Sequence, residues 1–294
     1  MIDPQRAHGV TPGLRQDYPK RVAGHQAAFL LPLLEPGMKL VDIGCGPGTI
    51  TLGLARAVAP GAVNGIDHDP VYVQAAYSLA SDRGQRQVKF ECASALALPF
   101  ADNTFDVAFE NDMLIHLADQ AVDAAAEAYR VTKPGGIYAA RDADAGLAIW
   151  GHPEDDLRFI DQLMIRWQAS RGSDIRLGSR LPEILRRAGF DAIHKSVSAD
   201  TKGDPASVRA HAEVTCSLLD GPLGHTAIEN GWADPYGIDR LKDSVRSWAE
   251  HPDAFFANVH IEVIGRKPAQ VPPISHRTPR FEPKRPASSA TGAD

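Results

Sequence analysis

The segment "VDIGCGPGTITLGLA", Val41 to Ala55, places three glycines within five residues, between a short apolar run and a stretch with helical spacing. A chain built this way must turn sharply out of a buried strand, with its backbone bare at the turn because glycine has no Cβ. A small polar ligand suits such a surface. Gly44, Gly46 and Gly48 follow a GxGxG spacing rather than the GxGxxG that seats a dinucleotide pyrophosphate. Asp42, two residues before the first glycine, adds a carboxylate at the loop's edge. It would repel a pyrophosphate and favour a ligand carrying an ammonium group.

The rhythm around this loop is that of βαβ units. "MKLVDI" reads as a buried strand and "TITLGLARAVA" as the helix after it. "AVNGID" with "PVYVQAAYSLASDRG" repeats the unit, and the strands "QVKFECA" and "TFDVAFEN" follow. The helix "QAVDAAAEAYRVT" is stopped by Pro134-Gly135-Gly136, and "GIYAARDAD" is the fifth strand. This alternation predicts an α/β, doubly wound, Rossmann-like fold with a mainly parallel sheet, whose ligands bind at the carboxyl ends of the strands.

After residue 144 the pattern becomes mostly helical, with insertions near 145–178 and 200–250 expected to form a substrate cap. "SRLPEILRRAGF" is a short amphipathic helix, "DAIHKSVSA" a strand, and "AFFANVHIEVIGRK" a final strand whose alternation suits antiparallel pairing. The expected organisation is an N-terminal lid over 1–37, with "YPKRVAGHQAAFLLPLL" helical, then one domain over 38–267. A Pro-rich tail over 268–294 is too poor in apolar residues to fold.

Asp67 stands twenty-one residues after Gly46, at the end of the second strand, where a carboxylate can accept both hydroxyls of a ribose. That feature alone does not separate NAD from S-adenosylmethionine. Asp67 could instead cap the next helix, but Asp69, directly before Pro70, is better placed for the cap.

Together with "LPFADNTFDVAF" and "RVTKPGG", these segments resemble the class I S-adenosylmethionine-dependent methyltransferases, in particular the small-molecule branch that includes quinone-biosynthesis C-methyltransferases. The resemblance spans roughly residues 38–142 and implies a seven-stranded sheet and S-adenosyl-L-methionine as cofactor. It implies that Gly44 and Gly46 pass beside the methionine part, with the Glu110 backbone near its amino group. Asp67 would take the ribose, His68 would lie against the adenine, and the Ser94-Ala95 turn would meet the adenine edge. Three positions depart from the family pattern: Ser94 where aspartate is usual, His68 where an aliphatic residue is common, and Thr132 where leucine is usual.

Methyl transfer from a sulfonium is an in-line displacement, so alignment supplies most of the rate, and a base is needed only when the acceptor must lose a proton. His116 follows the fourth strand and could take a phenol or enol proton; Asp142 could orient a substrate hydroxyl or ammonium; Tyr18 in the lid could bond substrate or cofactor. Asp112, Asp144 and His152 are further candidates, and Trp150, Trp167, Trp232 and Trp248 suit an apolar or aromatic acceptor, or fill the interface between cap and core. Asp112, Asp142 and Asp144 raise the question of Mg²⁺. Related catechol enzymes have a different local pattern around an Asp-Asn pair, so these three residues read as solvated loop acids and no metal site is expected.

A net charge of -6 with a pI near 6.0 argues against a general nucleic-acid binder. The chain also lacks DPPY or NPPY at strand four and a Pro-Cys pair for pyrimidine chemistry. Neither a leader-like apolar region nor a run of about 18 apolar residues occurs, so a cytoplasmic protein without a membrane span is expected. Three scattered cysteines argue against a disulfide framework. The expected activity is methylation of an O, N or C centre of a small molecule, in secondary metabolism or quinone synthesis. The rival readings are an S-adenosylmethionine-binding cyclase or isomerase and a non-catalytic scaffold. The lid and insertions could build a homodimer, although no heptad marks one.

Overall fold

The computed structural model describes residues 20–269 apart from 86, 153 and 154. Tyr18 and residues 270–294 of the tail therefore lie outside the described residues. The strands are β1 (Leu40–Ile43), β2 (Val63–Asp67), β3 (Val88–Cys92), β4 (Phe105–Asn111), β5 (Thr132–Ala143), β6 (Ile149–Trp150), β7 (Asp191–Lys202) and β8 (Phe256–Arg266). The core helices are α1 (Ala23–Gln26), α2 (Thr49–Ala57), α3 (Pro70–Asp82), α4 (Ala121–Val131) and α6 (Leu181–Ala188). The cap is built from α5 (Asp155–Ser170), α7 (Pro205–Asp220), α8 (Pro222–Glu229) and α9 (Pro235–Ala249).

The strands lie in the order β3-β2-β1-β4-β5-β8, with β7 on the outer edge of β8. The first five are parallel, whereas β8 runs antiparallel to both β5 and β7. The two-residue β6 pairs Ile149 with Ala257 and Trp150 with Phe256, on the edge of β8 just beyond the last β5 pair, Ala143 with His260. The sheet is thus seven strands wide. Its order reverses between β1 and β4, which sets the binding crevice at the carboxyl ends of those two strands.

Side-chain alternation separates two cores. Leu40, Val63, Val107 and Phe109 pack under α2 and α3, while Val41, Ala108, Tyr138 and Ala140 pack under α4 and α6. Ala124, Ala125 and Ala128 let α4 lie close on the sheet. The cap has a third core of its own, in which Leu157, Trp167, Val208, Leu219, Leu241 and Trp248 are buried together.

Two local expectations need correction. Among its described residues the N-terminal segment is α-helical only over Ala23–Gln26, followed by turns and a 3₁₀ turn at Leu31–Leu33. Pro32 has no N–H to continue a helix. Its apolar residues Ala23, Ala27 and Leu30 join the core beside α2, where a Cβ on Gly53 would stand 2.5 Å from the Ala23 methyl. Arg21 and His25 reach towards the carboxyl edge of the sheet. Strand β5 also starts earlier than expected, at Thr132, and absorbs the Pro134-Gly135-Gly136 turn as an irregularity between the Phe105–Thr132 and Val107–Ile137 pairs.

Candidate active site

The glycine turn follows β1, with φ of +79° at Gly44, +52° at Gly46 and +79° at Gly48, a region only glycine enters readily. The amides of Gly44 and Cys45 donate to the Ile66 carbonyl at 2.7 and 2.9 Å, folding the loop back on β2. The Gly46 amide donates to Asp67 Oδ2 at 2.9 Å. Nothing lies within 4 Å of where a Cβ on Gly46 would stand, so the turn offers bare backbone to open space. At Gly44 a Cβ would fall 2.5 Å from Met113 Cγ, so this glycine permits a close approach between the glycine loop and the segment after β4.

Asp42 is buried beneath the loop, not set at its edge, and accepts the Thr51 hydroxyl at 2.6 Å. Burial pushes its carboxyl up to about 7, against the Thr51 hydrogen bond and with help from the Asp67 charge. Asp42 thereby pins α2 to β1.

On the neighbouring strand, Asp67 is buried and also accepts the Asp69 amide at 2.9 Å, while Asp69 caps α3 through the Val71 amide at 2.8 Å. His68 is exposed, with Nδ1 3.5 Å from Asp67 Oδ1. Ala93 N donates to the Asp67 carbonyl at 3.0 Å, bringing the exposed Ser94 and half-buried Ala95 beside the end of β2. The Ser94 hydroxyl accepts from Leu96 N at 3.1 Å. Asp67, His68, Ser94 and Ala95 thus converge on one edge of the crevice.

After β4 the chain turns at Asp112, which has φ of +53°. Its carboxylate lies 2.9 Å from Arg21 Nη2 and 3.2 Å from His260 Nε2. Burial alone would raise its pKa, but His260, Arg21 and Arg141 together hold it well below the usual carboxylate range. His116 ends the following 3₁₀ turn, with its amide donating to Met113 O at 3.0 Å. It presents surface to solvent from a recess, and the protein packed around it lowers its pKa. Asp112 opposes that shift, whereas His68 and Arg21 reinforce it. The imidazole is therefore neutral near pH 7 and able to accept a proton.

Under Asp112, on the α2–α3 face of the sheet, lies a polar network that sequence reasoning missed. Arg141 is fully enclosed, and donates to Asn111 Oδ1 at 3.0 Å, Asp200 Oδ1 at 2.9 Å and Ser198 Oγ at 3.1 Å. Asp200 Oδ1 also lies 2.8 Å from His25 Nε2, and Glu262 accepts the Ser196 hydroxyl at 2.6 Å. The available signal was charge placed inside otherwise apolar strand patterns, Arg141 in "GIYAARDAD" and His260 and Glu262 in "NVHIEV".

The remaining candidates separate. Asp142 is completely buried on the opposite face, where Ile115 N donates to its Oδ1 at 3.5 Å, so it does not face the crevice. Glu110 is buried beside it, and its Oε2 accepts Met113 N at 3.1 Å. Asp144 caps the next turn through Gly146 N at 2.9 Å and accepts the Ser179 hydroxyl. Asp112, Asp142 and Asp144 are thus not solvated loop acids, and each points to different protein partners. His152 stacks on His251, with ring centroids 3.6 Å apart. Trp150, Trp167 and Trp248 are buried in the cap core with Trp232 packed against them; Trp150 donates to Asp161 and Trp248 to the Gly151 carbonyl. Their main role is packing within the cap. No helix among the described residues is long and apolar enough to cross a membrane.

A bare glycine turn after β1, held by a buried aspartate at the end of β2, lies at the carboxyl ends of the parallel strands, where an α/β fold of this topology takes its ligand. The family model described as "Methyltransferase domain" matches residues 40–136. "Probable methyltransferase ltbC" of Aspergillus luteorubrus is 31% identical over 267 residues, covering 84% of this chain and 92% of its own. Demethylmenaquinone methyltransferase of Geobacillus stearothermophilus is 36% identical over 105 residues, covering 35% and 44% respectively. The crystal structure of the YcgJ protein from Bacillus subtilis superposes with a TM-score of 0.56 at 20% identity, covering 83% of this chain and 99% of that one, a likeness of fold. The chain belongs to the S-adenosylmethionine-dependent methyltransferases.

Proposed function

We propose that this enzyme methylates an O, N or C centre of a small apolar or aromatic molecule, such as a phenol or a quinone-like ring. Bound S-adenosylmethionine supplies an electrophilic methyl group on a sulfonium. In this reading Gly44 and Gly46 give the backbone on which its methionine part lies, Asp67 takes the ribose hydroxyls, and His68, Ser94 and Ala95 border the adenine. The observation that carries the reading is the Gly46 turn, open above its α-carbon and held from below by Asp67. The carboxylate retains lone pairs beyond the two amides it accepts, as a ribose diol requires.

His116 has the exposure and the lowered pKa of a base that takes a proton from an acceptor hydroxyl as the new bond forms. Asp112, kept ionised by Arg21 and His260, lies near enough to stabilise the imidazolium that results. The name of the demethylmenaquinone relative supports a ring acceptor.

The test is calorimetric titration with S-adenosylmethionine and, separately, NAD, on the wild type and Asp67→Ala, followed by mass analysis of phenolic, enolic and prenyl acceptors. Micromolar S-adenosylmethionine binding that weakens in the variant, with one methyl gained by an acceptor, is the expected result. Binding without any methylated product across those acceptors would overturn the proposed substrate class.

A further inference from the structure

Glu110 and Asp142 lie on adjacent parallel strands, where Glu110 pairs in register with Ala140 and Asn111 with Arg141. Alternation puts both side chains on the α4–α6 face, among Ala108, Tyr138 and Ala140. Both are 0% exposed. Each uses one oxygen for the turn that follows β4: Glu110 Oε2 accepts Met113 N at 3.1 Å and Asp142 Oδ1 accepts Ile115 N at 3.5 Å. The other oxygens, Glu110 Oε1 and Asp142 Oδ2, are fully enclosed and receive no donor from any neighbouring group. The two carboxyl groups are nevertheless within hydrogen-bonding reach of each other.

Two ionised carboxylates in contact, away from water, would repel strongly and leave two acceptors unsatisfied. One proton between them removes both problems, because a protonated carboxyl is a donor and its partner an acceptor. We propose that Glu110 and Asp142 share one proton between Oε1 and Oδ2, and that the resulting pair positions the Met113–His116 turn against the cofactor loop. What that turn serves rests on the proposed function; the shared proton does not.

The surroundings support this assignment. The Tyr138 hydroxyl, also buried on this face without a partner, brings no cation. Asp112 adds negative charge from the end of β4, while Arg141, from the other face, only partly counters it. Burial first, and then these neighbouring carboxylates, push both groups well above the ordinary carboxyl range. The mechanical link is direct, since the amide held by Glu110 belongs to Met113, the residue packed against Gly44, and its carbonyl accepts the His116 amide.

The test is infrared spectroscopy of the full chain at about pH 8.5, where an ordinary carboxyl is ionised, on the wild type, Glu110→Gln and Asp142→Asn. The expected result is a protonated-carboxyl carbonyl band in the folded wild type that disappears in both amide variants. A wild type without that band overturns the proposal, as does a band that persists in both variants. For positioning, an amide can still donate to the remaining carboxylate, so Glu110→Gln should bind S-adenosylmethionine at least tenfold more tightly than Glu110→Ala. Equal loss in the two would overturn the positioning role. Failure of the wild type to bind S-adenosylmethionine would count against the proposed function instead, and the infrared result would stand apart from it.

Discussion

Asp67 holds the cofactor turn from below: its Oδ2 accepts the Gly46 amide at 2.9 Å while its other oxygen accepts Asp69 N. One carboxylate therefore shapes the loop after β1 and orders the entry to α3, and in the proposed function it also takes the ribose. Asp67→Ala should weaken S-adenosylmethionine binding by at least tenfold, the equivalent of about 1.4 kcal/mol. Calorimetry measures the loss, and unchanged affinity would remove Asp67 from the cofactor site.

The two glycines beside it should fail differently. Gly44→Ala meets Met113 Cγ at 2.5 Å as well as a strained φ, so thermal unfolding should show a loss of about 1–3 kcal/mol. Gly46→Ala meets no neighbouring atom, so its stability cost should be confined to backbone strain of about 1 kcal/mol while its methyl group occupies the ligand's space. Binding should suffer more than stability at Gly46; a variant with wild-type affinity there would place the ligand elsewhere.

Asp42 predicts a slope in stability with pH. Its folded pKa of about 7 lies above the ordinary aspartate value, so between about pH 4 and 7 the native state binds more protons than the unfolded chain. Stability contributed by protonated Asp42 is full below about pH 4 and is lost as pH rises towards 7. Asp42→Asn should flatten that decline and be more stable than the wild type at pH 8. Parallel denaturant midpoints for both proteins across this range would contradict the assignment.

His116 should govern the acid limb of catalysis on an acceptor with an ionisable hydroxyl. Because its pKa is lowered, kcat/KM should remain on its plateau at neutral pH and fall only below the ordinary histidine range. His116→Asn should lower kcat by about 10²–10⁴-fold while cofactor affinity changes little. An acid limb that survives in the variant would assign it to another group.

Arg141 is a different kind of test, because it belongs to the foundation of the site. Removing a fully buried guanidinium takes away the donor of Asn111 Oδ1 and one of the cations beside Asp200, and Arg141→Ala should cost about 3–5 kcal/mol. Arg141→Lys should recover only part, since an ammonium cannot span Asn111, Ser198 and Asp200 from one planar group. Urea midpoints distinguish these outcomes.

The parts of this architecture legible in the sequence are those with local signatures. The glycine turn, the alternation of β1 to β5, the Asp69 cap before Pro70 and the Gly189 stop after α6 all follow from neighbours within a few residues. Asp67 ends β2 and Ser94 follows β3, positions legible because both strand ends carry local signals. The Arg141 network was not legible, since its members come from residues 21 to 262 and meet only after the sheet has formed. Asp142 illustrates the same limit. Its strand was clear, but whether its side chain opened to the crevice or turned under the sheet depended on a single-residue alternation at the strand's end. The extent of the N-terminal helix depended on Pro32 and on packing against α2, neither visible as periodicity.

All four tryptophans of the chain belong to the cap core, at positions 150, 167, 232 and 248, and none lies beneath the sheet's cofactor face. The protein therefore carries a built-in optical reporter that watches one lobe alone. Emission from these rings follows the packing of that helical lobe, while far-ultraviolet dichroism follows the whole chain, so a mismatch between the two signals would separate local unfolding of the lobe from global unfolding without a label.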